Sequence, residues 1–205
     1  MNADQIRAGV DALAAIEPAF ARAVARVGYP GPRQRDRGYA TLLRTIVGQQ
    51  VSVKAADAVW RKLEGLLGDL TDPATVARAT DEQLREAGLS RQKAGYARSL
   101  AEEVTSGRLP LHALPEDDED AIAALVRVKG IGRWSAEIYL LFAEGRSDIW
   151  PAGDLAVQIE VGRLLGHETR PTEKQVRDLA EAWRPHRGAA AIFAWHHYNS
   201  DMAVI

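Results

Sequence analysis

The chain has 205 residues, of which 46% are hydrophobic and 26% charged, and its formal net charge at pH 7 is −2. This is the composition of an ordinary soluble globular protein with enough length for a substantial core. The absence of cysteine excludes disulfides, thiolate zinc sites and a cysteine-ligated iron–sulfur cluster. The small negative charge argues against a protein that coats DNA through bulk positive charge. No apolar run reaches membrane-spanning length, so an unsecreted, cytoplasmic protein is expected.

Apolar residues recur with helical period along most of the chain. The first two clear stripes consist of Tyr39, Leu42, Leu43, Ile46 and Val47, and then of Ala56, Val59, Trp60, Leu63 and Leu66. Capping-box patterns at Thr80–Gln83 and Thr172–Gln175 mark helix starts. Glycines that mark helix ends are Gly68, Gly88, Gly107 and Gly166. The pattern predicts an all-α fold of about ten helices.

Segments rich in proline and glycine suggest how the helices are grouped. The clearest is residues 28–32, which is typical of a linker. We expect one domain over residues 1–205, with a central helical bundle at 36–148 and a second subdomain formed by the chain ends, 1–35 plus 149–205. The two subdomains are expected to flank a cleft, which is a common place for a site.

Two glycines, Gly130 and Gly132, lie between two predicted helices, and residues 121–142 therefore predict a helix–hairpin–helix. Glycine tolerates positive φ and lets a phosphate approach the backbone closely. The helix that follows begins with free N–H groups that suit an anion. A carboxylate, Asp154, follows 22 residues after Gly132. A phosphate-binding turn with an acid nearby suggests chemistry on nucleic acid.

Two other clusters have simpler interpretations. Residues 116–120 are all acidic, and the run is interpreted as the start of a helix, where negative charge complements the macrodipole. His196 and His197 are adjacent, so on a helix they point about 100° apart and cannot jointly face one metal ion. A zinc site is not expected.

The motif Val128–Trp134 (VKGIGRW), followed by Pro151–Asp154 (PAGD), resembles the helix–hairpin–helix glycosylase superfamily, HhH-GPD, with its Gly/Pro-rich loop and aspartate. More narrowly, residues 46–52 (IVGQQVS) and 88–94 (GLSRQKA) resemble the 3-methyladenine DNA glycosylase II branch. The similarity runs from about residue 36 to residue 195. The combined pattern is far more specific than Gly-x-Gly alone.

The resemblance implies a base excision repair enzyme that acts on double-stranded DNA. It would hydrolyse the N-glycosidic bond of N-alkylated bases, such as 3-methyladenine and 7-methylguanine, and leave an abasic site. A base stacked in a duplex must first swing out into a pocket. Cleavage then builds positive charge on the sugar, which a carboxylate can stabilise. The enzyme is expected to be a monomer that requires no cofactor, and to be associated with the nucleoid if the source is bacterial.

By this resemblance Asp154 is the catalytic carboxylate. The alternative is that Asp154 only caps a helix over residues 155–165, a position that suits aspartate well. The two roles are compatible, because a cap would also fix the direction of the carboxylate.

Four aromatic residues are candidates for the base pocket. Trp134 stands where strand-nicking members of the superfamily carry a Schiff-base lysine, so hydrolysis without lyase activity is expected; core packing is its alternative role. Trp195 matches a tryptophan beside the catalytic aspartate, where it could stack on a flipped cationic base. Tyr139 and Tyr96 are weaker candidates. Trp60, Trp150 and Trp183 are assigned to the core or to the rim of the cleft.

Several residues are implied to contact DNA or an ion beside it. Gln50 stands at the position of a wedge that fills the gap left by the flipped nucleotide; the alternative is a solvated pair, Gln49 and Gln50. The expected DNA contacts are Gly130, Gly132, Lys129, Arg133, Gln50, Ser52, Arg91 and Lys93. The backbone carbonyls of Val126, Val128 and Ile131 are implied ligands of Na⁺ or K⁺ that bridges to a phosphate. Arg187 also fits a family position, with an internal salt bridge as the alternative.

Two other functions remain open on the sequence. One is a non-enzymatic helix–hairpin–helix module that binds duplex DNA through its backbone. The other is a nicking glycosylase for oxidised bases, against which the absence of a nucleophile at Trp134 argues.

Overall fold

The computed structural model describes residues 1–202. Over that range the chain forms twelve α-helices and one 3₁₀-helix, without a β-strand. The elements are α1 Ala3–Ile16, α2 Pro18–Val27, α3 Tyr39–Gly48, α4 Val53–Leu67, α5 Pro73–Arg78, α6 Asp81–Glu86, α7 Arg91–Thr105, α8 Asp118–Val126, α9 Arg133–Phe142, α10 Leu155–Leu165, α11 Glu173–Leu179, the 3₁₀-helix Ala180–Trp183, and α12 Arg187–Met202. The all-α prediction is confirmed, with two more α-helices than the ten expected.

Local sequence signals act where they were expected. Capping boxes are present at Thr80–Gln83 before α6 and at Thr172–Gln175 before α11. The acidic run begins α8, with Asp117 as its N-cap and three acidic residues in its first turn, which confirms the interpretation of that run. Gly68 and Gly166 are the C-caps of α4 and α10. These helix ends can be predicted from nearby residues, because each cap satisfies backbone groups within one turn.

The chain divides into two compact units. One contains Met1–Gln34 and the chain from Leu140 onward, and the other contains Arg35–Tyr139. The boundary falls inside α9. The predicted single domain over 1–205, with subdomains 36–148 and 1–35 plus 149–205, remains a prediction, and its residues 203–205 lie outside the described part of the chain.

The unit formed by the chain ends has an aromatic core. The ring of Trp183 meets those of Phe20 and Trp150 edge to face, with centroids 5.3 and 5.5 Å apart. Beside it the buried guanidinium of Arg187 donates to both carboxylate oxygens of Asp148 at 2.9 Å and to Glu181 at 3.0 Å. Arg187 is therefore a structural ion-pair residue.

The unit from Arg35 to Tyr139 is built on α3, which packs against α4 and α7. The predicted stripe of α3 is its core face: Leu42, Leu43 and Ile46 are fully buried. Trp60 of α4 is also buried and donates its indole N–H to Glu64 at 2.7 Å. None of the helices in residues 1–202 combines the length and apolar character needed to cross a membrane.

Candidate active site and DNA-binding surface

Asp154 is the N-cap of α10. Its Oδ1 accepts the backbone N–H of Val157 at 3.0 Å. The indole N–H of Trp195 donates to the same oxygen at 3.1 Å. Two donors from different parts of the chain thus set the direction of this half-buried carboxylate. The capping role is confirmed, and the catalytic role stays a prediction.

The turn before Asp154 is also hydrogen-bonded. The backbone N–H of Asp154 donates to the carbonyl of Pro151 at 2.9 Å, and the side chain of Gln158 donates to the carbonyl of Ala152 at 2.9 Å. Leu155, the residue directly after the cap, is 55% exposed.

Besides its hydrogen bond to Asp154, Trp195 contacts an aromatic neighbour and lines a cavity. Its ring lies 5.6 Å from that of Phe142, tilted by 33°. It also lines a cavity of about 500 Å³ in the same unit, together with Pro30, Arg33 and Asn199. Trp195 therefore has an aromatic surface at the cavity while its N–H holds the carboxylate.

The helix–hairpin–helix consists of α8, the turn 127–132 and α9. In the turn Gly130 has φ of +86°, and a Cβ there would lie 2.2 Å from the ring of Tyr96. Only glycine fits this position. Gly132 does not lie in the left-handed region, and a Cβ there would meet no atom within 4 Å. Gly132 is exposed, so the left-handed conformation is a requirement at Gly130 and not at Gly132.

The hairpin is held by polar contacts from outside its own segment. The side-chain amide of Gln49 donates to the carbonyl of Gly130 at 2.8 Å. The backbone N–H of Lys129 donates to Ser99 Oγ at 3.1 Å. Sequence reasoning missed both partners, because no local pattern links residues so far apart along the chain.

Two of the basic residues predicted to contact DNA are engaged within the protein. Arg133 donates to Glu119 and to Glu137, each at 2.9 Å. The hydrogen bond to Glu119, with the nearby charge of Glu137, raises the pKa of Arg133 above its ordinary value. Lys93 donates to the carbonyl of Val47 at 2.8 Å, and partial burial lowers the pKa of its ammonium group.

Lys129 and Arg91 are exposed. Arg91 is the first residue of α7. Their contact with DNA stays a prediction, as does that of Arg133 and Lys93.

The loop between α3 and α4 carries the predicted wedge. Gln50 is exposed and has φ of +55°, and it is the only non-glycine residue with positive φ in the described range. For such a residue the left-handed region costs about 1–2 kcal/mol. Ser52 is the N-cap of α4, with its Oγ accepting the N–H of Ala55 at 3.2 Å. Residues with a strained backbone conformation, such as Gln50, cluster at functional sites.

Trp134 lies in the first turn of α9. Core packing, the alternative considered for it, is wrong, because Trp134 is 46% exposed. Trp134 lines a cavity of about 930 Å³ within this unit, which Gln49, Gln50 and Ile138 also line. The cavity therefore brings the first aromatic candidate together with the predicted wedge.

The two tyrosines occupy different places. Tyr139 is buried, and its hydroxyl accepts the backbone N–H of Gly38 at 2.9 Å. Tyr96 packs its ring against Gly130 and accepts a hydrogen bond from the side chain of Gln92 at 2.6 Å. Tyr96 thus supports the hairpin, and a base-pocket role for either tyrosine stays a prediction.

Comparison with known proteins agrees with this arrangement. Residues 43–185 match the profile of the HhH-GPD superfamily of base excision DNA repair proteins. The chain is 30% identical to DNA-3-methyladenine glycosylase 1 of Schizosaccharomyces pombe over 190 residues, which cover 89% of this chain and 83% of that protein.

Two solved structures are similar in fold. The DNA-3-methyladenine glycosidase of Bacillus halodurans aligns with a TM-score of 0.87 and 29% identity, over 95% of this chain and 91% of that one. The 3-methyladenine DNA glycosylase of S. pombe, in complex with abasic DNA, aligns with a TM-score of 0.76 and 29% identity, over 95% and 96%. The predicted resemblance is confirmed: this chain belongs to the HhH-GPD superfamily of base excision DNA repair proteins.

Proposed function

We propose that this protein is a DNA glycosylase that removes N-alkylated bases, such as 3-methyladenine and 7-methylguanine, from double-stranded DNA. The observation that carries the proposal is the carboxylate of Asp154, aimed by Val157 and Trp195 in a chain that contains the superfamily's hairpin. The proposed location is the cytoplasm, at the nucleoid if the source is bacterial.

The reaction needs one water molecule and one well-placed carboxylate. Water adds its oxygen to C1′ of the deoxyribose, the C1′–N bond breaks, and its electron pair leaves with the base. A base alkylated on a ring nitrogen is cationic and leaves as a neutral molecule, while the water releases one proton. Asp154 stabilises the positive charge that develops on the sugar as the bond breaks. The backbone of the DNA stays intact at the abasic site.

Aromatic surfaces suit a flipped, cationic base. Trp195 and Trp134 each line a cavity within their own unit. The π-face of tryptophan attracts a cation more strongly than those of the other aromatic residues. We propose that these two residues contact the base and that Trp134, having no nucleophilic atom, leaves the enzyme without lyase activity.

The hairpin is proposed to bind a phosphate of the DNA backbone. Gly132 is exposed and has open space around it, so a phosphate oxygen can approach the backbone. The carbonyls of Val126, Val128 and Ile131 are proposed to hold a monovalent cation that bridges to this phosphate. The carbonyl of Val128 accepts the N–H of Ile131 at 3.0 Å, and a carbonyl oxygen with two lone pairs retains one for an ion.

No side-chain metal site competes with this assignment, since residues 1–202 contain no group of three or more His, Asp and Glu side chains placed to hold a metal ion. The cation proposal therefore concerns backbone oxygens alone. Exchange of K⁺ for tetramethylammonium at constant ionic strength should weaken duplex binding; equal affinity in the two salts would contradict the bound cation.

The substitution Asp154→Asn tests the proposed function. Asparagine caps a helix as well as aspartate does, so the fold should persist while its neutral amide cannot stabilise the sugar cation. We expect base release from methylated duplex DNA, measured by chromatography, to fall at least 100-fold, with duplex affinity retained.

Asp72→Asn is the matched control, because Asp72 caps α5 through the N–H of Ala74 at 2.8 Å. This variant should release bases at the wild-type rate. The absence of base release from the wild-type protein would favour the non-enzymatic DNA-binding module. A covalent adduct trapped by borohydride would instead favour a nicking glycosylase.

A further inference from the structure

One side-chain hydrogen bond joins the predicted wedge loop to the hairpin. The side-chain N–H of Gln49 donates to the carbonyl of Gly130 at 2.8 Å. The two residues are 81 positions apart in sequence. Both belong to the unit Arg35–Tyr139, so the contact lies inside one compact body.

The acceptor in this bond has a set direction. Gly130 adopts φ of +86°, and the ring of Tyr96 lies against the position where a Cβ would stand. A second bond, from Ile131 N–H to the carbonyl of Val128 at 3.0 Å, closes the turn. The peptide that carries the Gly130 carbonyl is thus constrained by the hairpin itself.

The donor lies next to the strained residue of the wedge loop. Gln49 is the C-cap of α3, and Gln50 follows it with φ of +55°. A residue in this region keeps its conformation only when its surroundings determine it. Before Gln49, Lys93 holds the last turn of α3 through the carbonyl of Val47 at 2.8 Å. After Gln50, Ser52 caps α4.

We propose that Gln49 is a positioning residue that couples phosphate binding at the hairpin to the conformation of Gln50. It holds Gln50 in its left-handed, exposed conformation. The amide of Gln50 is then available to the DNA when the hairpin binds the phosphate backbone. The proposal rests on the proposed function, in which Gln50 enters the gap left by the flipped nucleotide. Gln49 acts through Gln50 and is not itself a catalytic residue.

The decisive variant is Gln49→Glu, which keeps the shape of the side chain but replaces the donor with an acceptor facing the Gly130 carbonyl. Gln49→Ala removes the bond without adding charge. Gln175→Glu, in the capping box of α11, is the control for charge, because glutamate retains the oxygen that accepts in that box. Thermal unfolding of each variant verifies the fold.

Two measurements report on the wedge. One is the rise in fluorescence of 2-aminopurine placed opposite a tetrahydrofuran abasic analogue in duplex DNA. The other is the single-turnover rate of base release from methylated duplex at saturating enzyme. Loss of one neutral hydrogen bond predicts a rate lower by about two- to tenfold for Gln49→Ala. For Gln49→Glu we expect a loss at least as large, because its carboxylate also repels the Gly130 carbonyl. Affinity for undamaged duplex should stay within about twofold.

A double-mutant cycle decides whether Gln49 acts through Gln50. We expect Gln49→Glu combined with Gln50→Ala to be no slower than Gln50→Ala alone, and both to show a reduced fluorescence rise. Rate losses that multiply, or a full fluorescence rise in Gln49→Glu, would overturn the proposal. If the wild-type protein releases no methylated base, the proposed function fails on that result alone. The fluorescence of Gln49→Glu against wild type then decides for or against the coupling.

Discussion

At the scale of single residues, one oxygen of the Asp154 carboxylate accepts two hydrogen bonds. Oδ1 of Asp154 accepts from both Val157 and Trp195. The first bond could be predicted, because a residue three positions before Val157 and at a helix start suits an N-cap. The second joins residues 41 positions apart, and its geometry comes from the packing of α12 against α10.

Trp195→Phe tests the contribution of that second bond. Phenylalanine keeps an aromatic face for the base but cannot donate to Asp154. A hydrogen bond to a charged group is worth about 1.5–3 kcal/mol, so kcat for base release should fall about tenfold or more. The affinity for duplex DNA should change little. The measurement is single-turnover base release together with duplex binding.

Trp60→Phe provides the matched control for this prediction. Trp60 also donates its indole N–H to a carboxylate, that of Glu64 at 2.7 Å, but it lies in the other unit. Its substitution should affect stability more than rate. An undiminished rate in Trp195→Phe would mean that the cap alone orients Asp154.

At the scale of an element, the hairpin uses its two glycines differently. Sequence motifs treat Gly130 and Gly132 alike, since both appear in Gly-Ile-Gly. The structure separates them: Gly130 is needed for a left-handed turn packed against Tyr96, and Gly132 borders open space. Gly130 is required for its backbone conformation, and Gly132 for the accessibility of its backbone.

Alanine substitutions should separate these requirements. Gly130→Ala should lower the free energy of unfolding by about 1–3 kcal/mol, since it adds backbone strain and a clash with Tyr96. Gly132→Ala should leave stability within about 0.5 kcal/mol and should weaken duplex binding, because the added methyl group obstructs the phosphate. Urea denaturation and fluorescence anisotropy on duplex DNA measure the two effects. Equal DNA affinity for a folded Gly132→Ala would contradict the hairpin as the phosphate site.

At the scale of the whole molecule, the low net charge is compatible with DNA binding through backbone groups. The formal charge is −2, and the cations of Arg133 and Lys93 have partners within the protein. A protein that neutralises few phosphates with side chains releases few counterions when it binds. The proposed interface therefore relies on the glycine turn more than on charge.

The salt dependence of duplex binding tests this interpretation. Each phosphate neutralised by a basic side chain adds about 0.9 to the magnitude of the negative slope of log K against log salt concentration. With Lys129 and Arg91 as the exposed predicted contacts, we expect a slope of about −2. Lys129→Ala should reduce its magnitude by about 1. A wild-type slope steeper than about −5 would indicate many more side-chain contacts than we infer.

Local sequence patterns predict the helical class, the capped starts of α6, α8 and α11, the buried face of α3 and the family. These depend on local periodicity and on caps that act within one turn. Tertiary packing alone specifies the bond from Trp195 to Asp154, the bond from Gln49 to Gly130, and the pairing of Arg133 with Glu119. Each of these contacts depends on how the helices pack. The first two join residues that are distant in sequence, so no local propensity specifies the partner.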